Sequence, residues 1–495
     1  KGIVQNVSET YIGPDTSIYA DAITEGNGGR TIFWADRRMR FFGTLSARGG
    51  RDYGDGGFVE VSGKEELFFD GRVDTLAPNG KAGTLLLDPQ DIIIADGAGT
   101  PSASGAVTFT TYGNTLGALS ASTNIILNSD RDIFINNLTD NSLKLNQSAG
   151  TSVNFIANTG QITFLDANDK IETSGGNLIF SAKNNLTLPV LDSNGGDITL
   201  TGRDIILNGI VDAGGGTVKI LSSNGGTIGL HNSAAAATTI SDICGGSCGL
   251  TLNGNELAGI KTGQLIIGDA TNGSTYVDGL QLHLSGAVTL NATGAGKSIT
   301  FKGNSSTFDR GLNLNAANGV TLIQSVTTGG AVNINADSDS NGTGTFTIRP
   351  VKSLTTSTGA GYNSVEITAG DIVSNGSINA GTKTVSIRSA TGATMGLGGG
   401  AGSIGLDSNE LGRITTSNLI LGGSKTGAIT VDNVDLRTSN IDAVTLDAQA
   451  DNASITFSGT RSYFKALTVN ADDGINTNVN VDTSVGNLVL DGNVD

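Results

Sequence analysis

Three stretches set twenty residues apart decide how this chain is read: Gly175-Gly176-Asn177-Leu178-Ile179-Phe180, Gly195-Gly196-Asp197-Ile198-Thr199-Leu200 and Gly215-Gly216-Thr217-Val218-Lys219-Ile220. Each is a glycine corner feeding a short strand in which apolar and polar residues alternate. The intervals hold further short apolar segments, such as Asp204-Ile205-Ile206-Leu207 and Gly209-Ile210-Val211, again bounded by glycine or polar corners. A coil of this size cannot bury its own apolar face and must stack on the coils before and after it. The expected fold is therefore all-β: a right-handed parallel β-helix, a solenoid with coils of about twenty residues. A uniform pitch over 495 residues predicts roughly 25 coils and a length of about 120 Å.

Composition agrees with many tight corners. The chain has 73 glycines and only 6 prolines, which excludes collagen and proline-rich linkers. Hydrophobic residues make up 37% and recur at regular spacing, so the polar surface does not imply disorder. The formal net charge of -17, from 46 acidic and 29 basic residues, argues against a nucleic-acid partner. No run of eighteen apolar residues occurs, and the first residue is Lys1 with no signal-peptide pattern after it, which reads as a mature or trimmed piece.

A larger repeat overlies the small one. Asp204 to Leu230 aligns without gaps on Asp371 to Leu397, an offset of 167 residues. Glu256-Leu257-Ala258-Gly259-Ile260-Lys261-Thr262 then returns as Glu410-Leu411-Gly412-Arg413-Ile414-Thr415-Thr416, at an offset of 154. The 13-residue difference places an insertion in the first copy, between Gly229 and Leu252, and that insertion holds both cysteines. The expected organisation is 1-94, an aromatic and glycine-rich start; 95-203, a β-helical shaft; 204-370, the first long repeat; and 371-495, a second, truncated one. Equivalence of the copies predicts that Ile205 and Ile372, and likewise Val218 and Val385, face the core.

Few residues suggest chemistry. Cys244 and Cys248 share one short loop, which favours a structural disulfide in an outward excursion over a redox pair. Zinc would need two further ligands, and His231 is the only histidine nearby, so no metal site is expected. Asp337, Asp339, Asn341 and Gly342 open like a calcium loop, but Ile348 stands where an EF-hand places its glutamate. Asp472-Asp473 reads as a solvated corner. Aromatic pairs Phe33-Trp34, Phe41-Phe42 and Phe68-Phe69 flank Arg37, Arg38 and Arg40. Trp34 and the three arginines are candidates for glycan or partner contact, against a plainer reading in which the rings plug wide coils and the arginines cover the outside.

The segments Gly28-Gly29-Arg30-Thr31-Ile32-Phe33-Trp34-Ala35-Asp36, Phe42 to Gly50, Gly56 to Lys64 and Gly80 to Ile92 (GKAGTLLLDPQDI) resemble the filamentous haemagglutinin-like exoproteins of bacterial two-partner secretion. The resemblance covers residues 25 to 94; beyond it the chain matches only in style, through coil-sized repeats and the Glu-Leu-x-x-Ile-x-Thr pattern of Glu256 to Thr262 and Glu410 to Thr416. In that family such a segment follows a secretion domain, which these residues are expected to lack, and leads into a long β-helical shaft. It implies export by an outer-membrane transporter of the two-partner type and a secreted, cell-surface location on a Gram-negative-type bacterium. No catalytic residue or cofactor carries over.

The expectation for function is a non-enzymatic structural or adhesive stalk, with a host, cell-surface or matrix glycan or protein as partner. A polysaccharide-cleaving β-helical enzyme is the alternative that clustered acids and aromatics in one lateral groove would favour. An autotransporter passenger is the alternative that a carboxy-terminal barrel would favour. The closing run Gly486 to Gly492 reads as one more corner and strand, so these residues are expected to be an interior stretch, continued by more polypeptide or by end-to-end self-association.

Overall fold

Alternation of inward and outward residues is what turns these short segments into a wall. In the strand Asn177–Ala182 the residues Leu178, Phe180 and Ala182 are buried while Asn177, Ile179 and Ser181 are partly exposed, and the strands above and below repeat this order. The computed structural model describes residues 7–95, 109–232, 243–246, 248–357 and 361–493, with the backbone alone for 109–112. It is a nearly all-β parallel β-helix, and the helices among the described residues are three of one turn each.

The chain forms two compact units, residues 1–224 with 259–264, and residues 225–258 with 265–495. In the first, one wall stacks eight parallel strands, from Arg30–Ala35 through Asn177–Ala182 to Thr217–Ser222. In the second, nine parallel strands stack from Ala287–Ala292 to Leu488–Asp491. All these pairings are parallel and in register, so inward side chains form continuous columns. Leu178, Ile198 and Val218 are one such column and Phe180, Leu200 and Ile220 another, all fully buried. Phe155 stacks on Phe180 with centroids 4.7 Å apart.

The twenty-residue pitch holds from Leu178 to Ile198 to Val218 and from Val365 to Val385, but other coils are longer. Leu85 pairs with Ile125 forty residues on, and Val385 with Leu419 thirty-four on. The estimate of roughly 25 uniform coils is therefore too high, because extra residues enter at corners while the wall keeps its register.

Both glycines of the corner motif have a steric reason. Gly175 and Gly195 sit at φ of 101° and 100°, where a side chain would be strained. At the next position, a Cβ on Gly196 would lie 2.6 Å from the Gly176 carbonyl oxygen, and one on Gly216 would lie 2.7 Å from that of Gly196. Buried hydroxyls pin the corners vertically. Thr173 donates to the carbonyls of Gly176 (2.7 Å) and Ser193 (3.1 Å), and Ser193 in turn reaches that of Asp212.

The duplication is structural. Asp204–Leu207 and Asp371–Ser374 share one burial pattern, with Ile205 and Ile372 both buried; Val218 and Val385 are buried as well. Each copy also carries a step back. Ile404–Leu406 pairs with Met395–Gly398 on the side opposite Ile429–Asp432. The first copy repeats this with Leu250–Asn253, Ile228–His231 and Thr275–Asp278. A one-turn helix follows, Gly254–Ala258 or Ser408–Gly412, then a strand that begins at Ile260 or Ile414, Ile260–Lys261 in the first copy and Ile414–Gly423 in the second.

The Glu-Leu-x-x-Ile-x-Thr pattern thereby acquires a mechanism. Glu410 accepts from the Asp407 N–H (3.0 Å) while Asp407 accepts from the Glu410 N–H (2.8 Å), a reciprocal cap that Asn253 and Glu256 reproduce. Leu257, Leu411, Ile260 and Ile414 are buried, and Thr262 closes the corner by donating to the Gly216 carbonyl at 2.7 Å. A third instance, which the sequence comparison did not find, lies at Ile92–Ala95, Phe109–Tyr112 and the helix Gly113–Gly117, with Leu116 and Leu119 buried. Its Thr115 stands where the other two have glutamate.

Two substitutions test this account. Val218→Asp puts a carboxylate into a sealed apolar column and is expected to cost about 3 kcal/mol or more; an unchanged thermal midpoint would remove Val218 from the core. Gly396→Ala places a methyl 2.1 Å from the Gly400 carbonyl oxygen, whereas a methyl at Gly412 meets open space. Gly396→Ala is expected to destabilise by about 1–3 kcal/mol and Gly412→Ala to be neutral or slightly stabilising. Equal melting curves for the two variants would contradict the packing described.

Candidate functional site

The residues singled out near the start belong to different walls. Trp34 lies on Arg30–Ala35, is 37% exposed, and donates its indole N–H to Asp36 at 3.1 Å. Arg38 and Arg40 project from Arg38–Phe41, whose other residues, Met39 and Phe41, are fully buried. Register sets Arg38 between Glu9 and Glu66 of the neighbouring coils. It hydrogen-bonds Glu66, while Arg37 reaches Glu9 at 2.7 Å. The Arg38 hydrogen bond holds the Glu66 carboxyl below its ordinary pKa. Arg40 lies over Phe68, 5.8 Å from the ring centroid. Phe41 and Phe69 stack at 5.6 Å inside the coil. Phe41 and Phe69 thus fill the coil, while the part-exposed Phe68 lies outside with Arg40, and Arg37 and Arg38 tie the outer surface together; Trp34 does not join them.

Cys244 and Cys248 are joined by a disulfide, their Cα atoms 5.4 Å apart. The bridge lies against the strand Ile228–His231: a Cβ on Gly229 would be 2.7 Å from Cys248 Sγ and 3.4 Å from Cys244 Sγ. The 13-residue insertion is thus the longer connection between paired strands, eighteen residues (232–249) against five (399–403). Residues 233–242 and 247 lie outside the described ones. In both copies a glycine without a positive φ, Gly229 or Gly396, lets this connection lie on the wall. As disulfide sulfurs the cysteines supply no thiolate for zinc, and the His231 Nδ1 faces the Asn232 carbonyl at 3.0 Å.

The acidic candidates are engaged by their own surroundings. Asp337, fully buried, accepts from the N–H groups of Asn341 (3.2 Å) and Gly342 (2.8 Å), and the Asn341 amide donates to Asp339. Burial raises the Asp337 pKa. Asp472 accepts from the N–H of Asn452, a corner residue with φ of 63°. No group of three metal-ligating side chains forms among the described residues.

One constellation was missed because its members look isolated in sequence. Glu172, Asp192 and Asp212 stand in register on successive coils, with Lys144 before them and Lys261 after. Lys170 bridges Glu172 (2.7 Å) and Asp192 (3.0 Å), and Lys261 approaches Asp212 at 3.6 Å. Burial works against ionisation of Asp192, but hydrogen bonds from Lys170 and from the Asn194 backbone outweigh it and lower its pKa. Its hydrogen bonds to Glu172, first, and to Asp192 raise the pKa of Lys170. The signal was present, since the acids recur every twenty residues in the coils whose pitch is twenty. Lys144 also lines an open cavity of about 670 Å³, together with Gly113, Asn114 and Gly117 of the helix and with Asp140, Ser142 and Asn146.

No family model matches the chain, and neither does any curated protein.

Lys170→Met tests whether the column acts as an ion-pair ladder. A depressed carboxylate pKa contributes stability above its unfolded value, about 3.9 for Asp, and loses it as pH falls through the folded value. A raised lysine pKa contributes below about 10.4 and is lost as pH rises through the folded value. The stability difference between the parent and Lys170→Met is therefore expected at neutral pH, at about 1 kcal/mol or less because the pairs are part-exposed, and to shrink toward strongly acid pH. Denaturation midpoints measured across pH check this, and a difference that persists undiminished in acid would refute it.

Proposed function

We propose that this chain is the shaft of a secreted, cell-surface adhesive stalk, a β-helical scaffold that displays loops to a partner. One observation carries the reading. The strand, back-stepped strand and one-turn helix recur three times, while the connection between the paired strands runs to 13, 18 and 5 residues at 96–108, 232–249 and 399–403. A constant wall with variable connections is the arrangement of a scaffold whose specificity lies in its loops. The resemblance of residues 25 to 94 to filamentous haemagglutinin-like exoproteins supports export through a two-partner transporter to the surface of a Gram-negative-type bacterium. An oxidising exterior also suits the Cys244–Cys248 bridge.

The in-register acids Glu172, Asp192 and Asp212 favour a second reading, a polysaccharide-cleaving enzyme, since such chemistry uses carboxylates from adjacent coils. Against it, Lys170 already occupies the space between two of them, and the strands of that wall carry no aromatic side chain on which a sugar could stack.

The test replaces residues 232–249 by the five residues 399–403 of the second copy. The variant is expected to keep its circular dichroism spectrum and melting midpoint while binding to cultured cells falls at least tenfold from the parent level. Undiminished binding, or no binding by the parent chain, would defeat the loop-display reading. Release of reducing ends from a polyuronate by the parent and not by Asp192→Asn would replace it with the enzymatic one.

A further inference from the structure

On the wall of the second unit the outward residues Asn335, Thr368 and Arg388 stand in register on three successive coils. The next coil breaks this column with Gly422 and Gly423, which have no side chains to continue it. Gly422 cannot carry one, since a Cβ there would lie 2.0 Å from the Asp447 carbonyl oxygen at a φ of 105°. The gap is a cavity of about 240 Å³ at the corner Gly423-Ser424-Lys425-Thr426.

Its lining is cationic and rich in donors, on a chain whose net charge is -17. The Arg388 side chain lies along Gly423, where an added Cβ would be 3.4 Å from Nε, and its carboxylate neighbour Glu366 is 3.9 Å away with half its side chain exposed. Asp447, on the far side of Gly422, also acts on Arg388, and burial raises the pKa of its carboxyl. Lys425 is exposed at the rim. Ser389 is 3% exposed, and its Oγ already accepts from the N–H groups of Thr391 and Ala393, so its own proton is free to donate.

Thr426 supplies the independent indication of a ligand. It is 1% exposed, lines the cavity, and its hydroxyl has no hydrogen-bond partner. A buried hydroxyl left unpaired costs about 1–3 kcal/mol, a cost that a bound acceptor would remove. Valine would fill the same volume without it.

We propose that this cavity binds an oxyanion, a sulfate, phosphate or carboxylate group, with Arg388 and Lys425 supplying charge and the Ser389 and Thr426 hydroxyls supplying hydrogen bonds. The volume is below the range of about 300–1,000 Å³ typical of sites for whole small ligands, so the site takes the charged group and leaves any larger body outside. In the long-repeat alignment Arg388 corresponds to Leu221 and Lys425 to Thr271, so the cationic pair belongs to the second copy alone. The site stands independently of the adhesive reading, because it requires neither export nor a cellular partner.

Isothermal titration of the whole chain with sodium sulfate, sodium phosphate, and a sulfated monosaccharide beside its unsulfated parent tests the proposal, with sodium chloride matching ionic strength. Saturable binding of the inorganic anions is expected, weakened at least tenfold in Arg388→Gln and at least threefold in Thr426→Val. Thr426→Val is also expected to keep or raise the melting midpoint, which separates a lost ligand contact from lost folding. Binding of the sulfated sugar but not its parent would identify a saccharide-borne group as a ligand, whereas sulfate and phosphate binding without it would limit the site to free ions; both outcomes uphold the oxyanion site. No saturable binding of any anion, or affinities unchanged in both variants, would overturn it.

Discussion

Parallel in-register stacking is the constraint on which everything else in this protein rests. A coil with three short strands has one apolar side per strand and nothing within itself to cover it, so each inward residue must lie on its counterpart in the next coil. Leu178, Ile198 and Val218 do so at zero exposure. A slip of one residue would turn the whole set outward, and the apolar columns therefore fix register more firmly than the hydrogen-bond ladder alone.

Register imposed on the inside also orders the outside. Outward residues fall into columns with the spacing of the strands, and the chain uses them to tie coils together. Asn128 donates to Asp88 at 2.9 Å, Asn315 to Asn291 at 2.9 Å and Asn333 to Asn313 at 2.8 Å, each across one rung. The acids Glu172, Asp192 and Asp212 form the same kind of column, which would repel itself without Lys170 between two members. Arg38 between Glu9 and Glu66 is a third example. Where glycine interrupts a column, as at Gly422 and Gly423, the wall opens into a small polar cavity.

Variation is admitted at the corners. A longer connection adds little closure entropy if its ends are already held, and the back-stepped strand holds them: the connection leaves one strand and returns to its immediate neighbour. The chain carries eighteen residues there in one copy and five in the other without disturbing the pairing of Val211 with Ile260 or Ile378 with Ile414. The disulfide is a local fitting of the longer version, while Gly229, like Gly396 in the shorter one, leaves room for the connection to lie on the wall.

The sequence by itself determined the class of fold, the face each residue of a strand presents, and the equivalence of Ile205 with Ile372 and Val218 with Val385. Alternation, glycine corners and repeats are local or periodic properties, legible in one dimension. It also located the insertion and its cysteines, since a shift from 167 to 154 in offset is a counting result. Only the tertiary structure decided which outward side chains become neighbours. Coils of twenty to forty residues stand on one another, so linear spacing does not say what lies above what. Arg38 meets Glu66 and Arg388 shares a cavity with Thr426 because the apolar interior aligned their coils, whereas the meeting of Lys170 with Asp192 was legible only where the pitch itself was, at twenty residues.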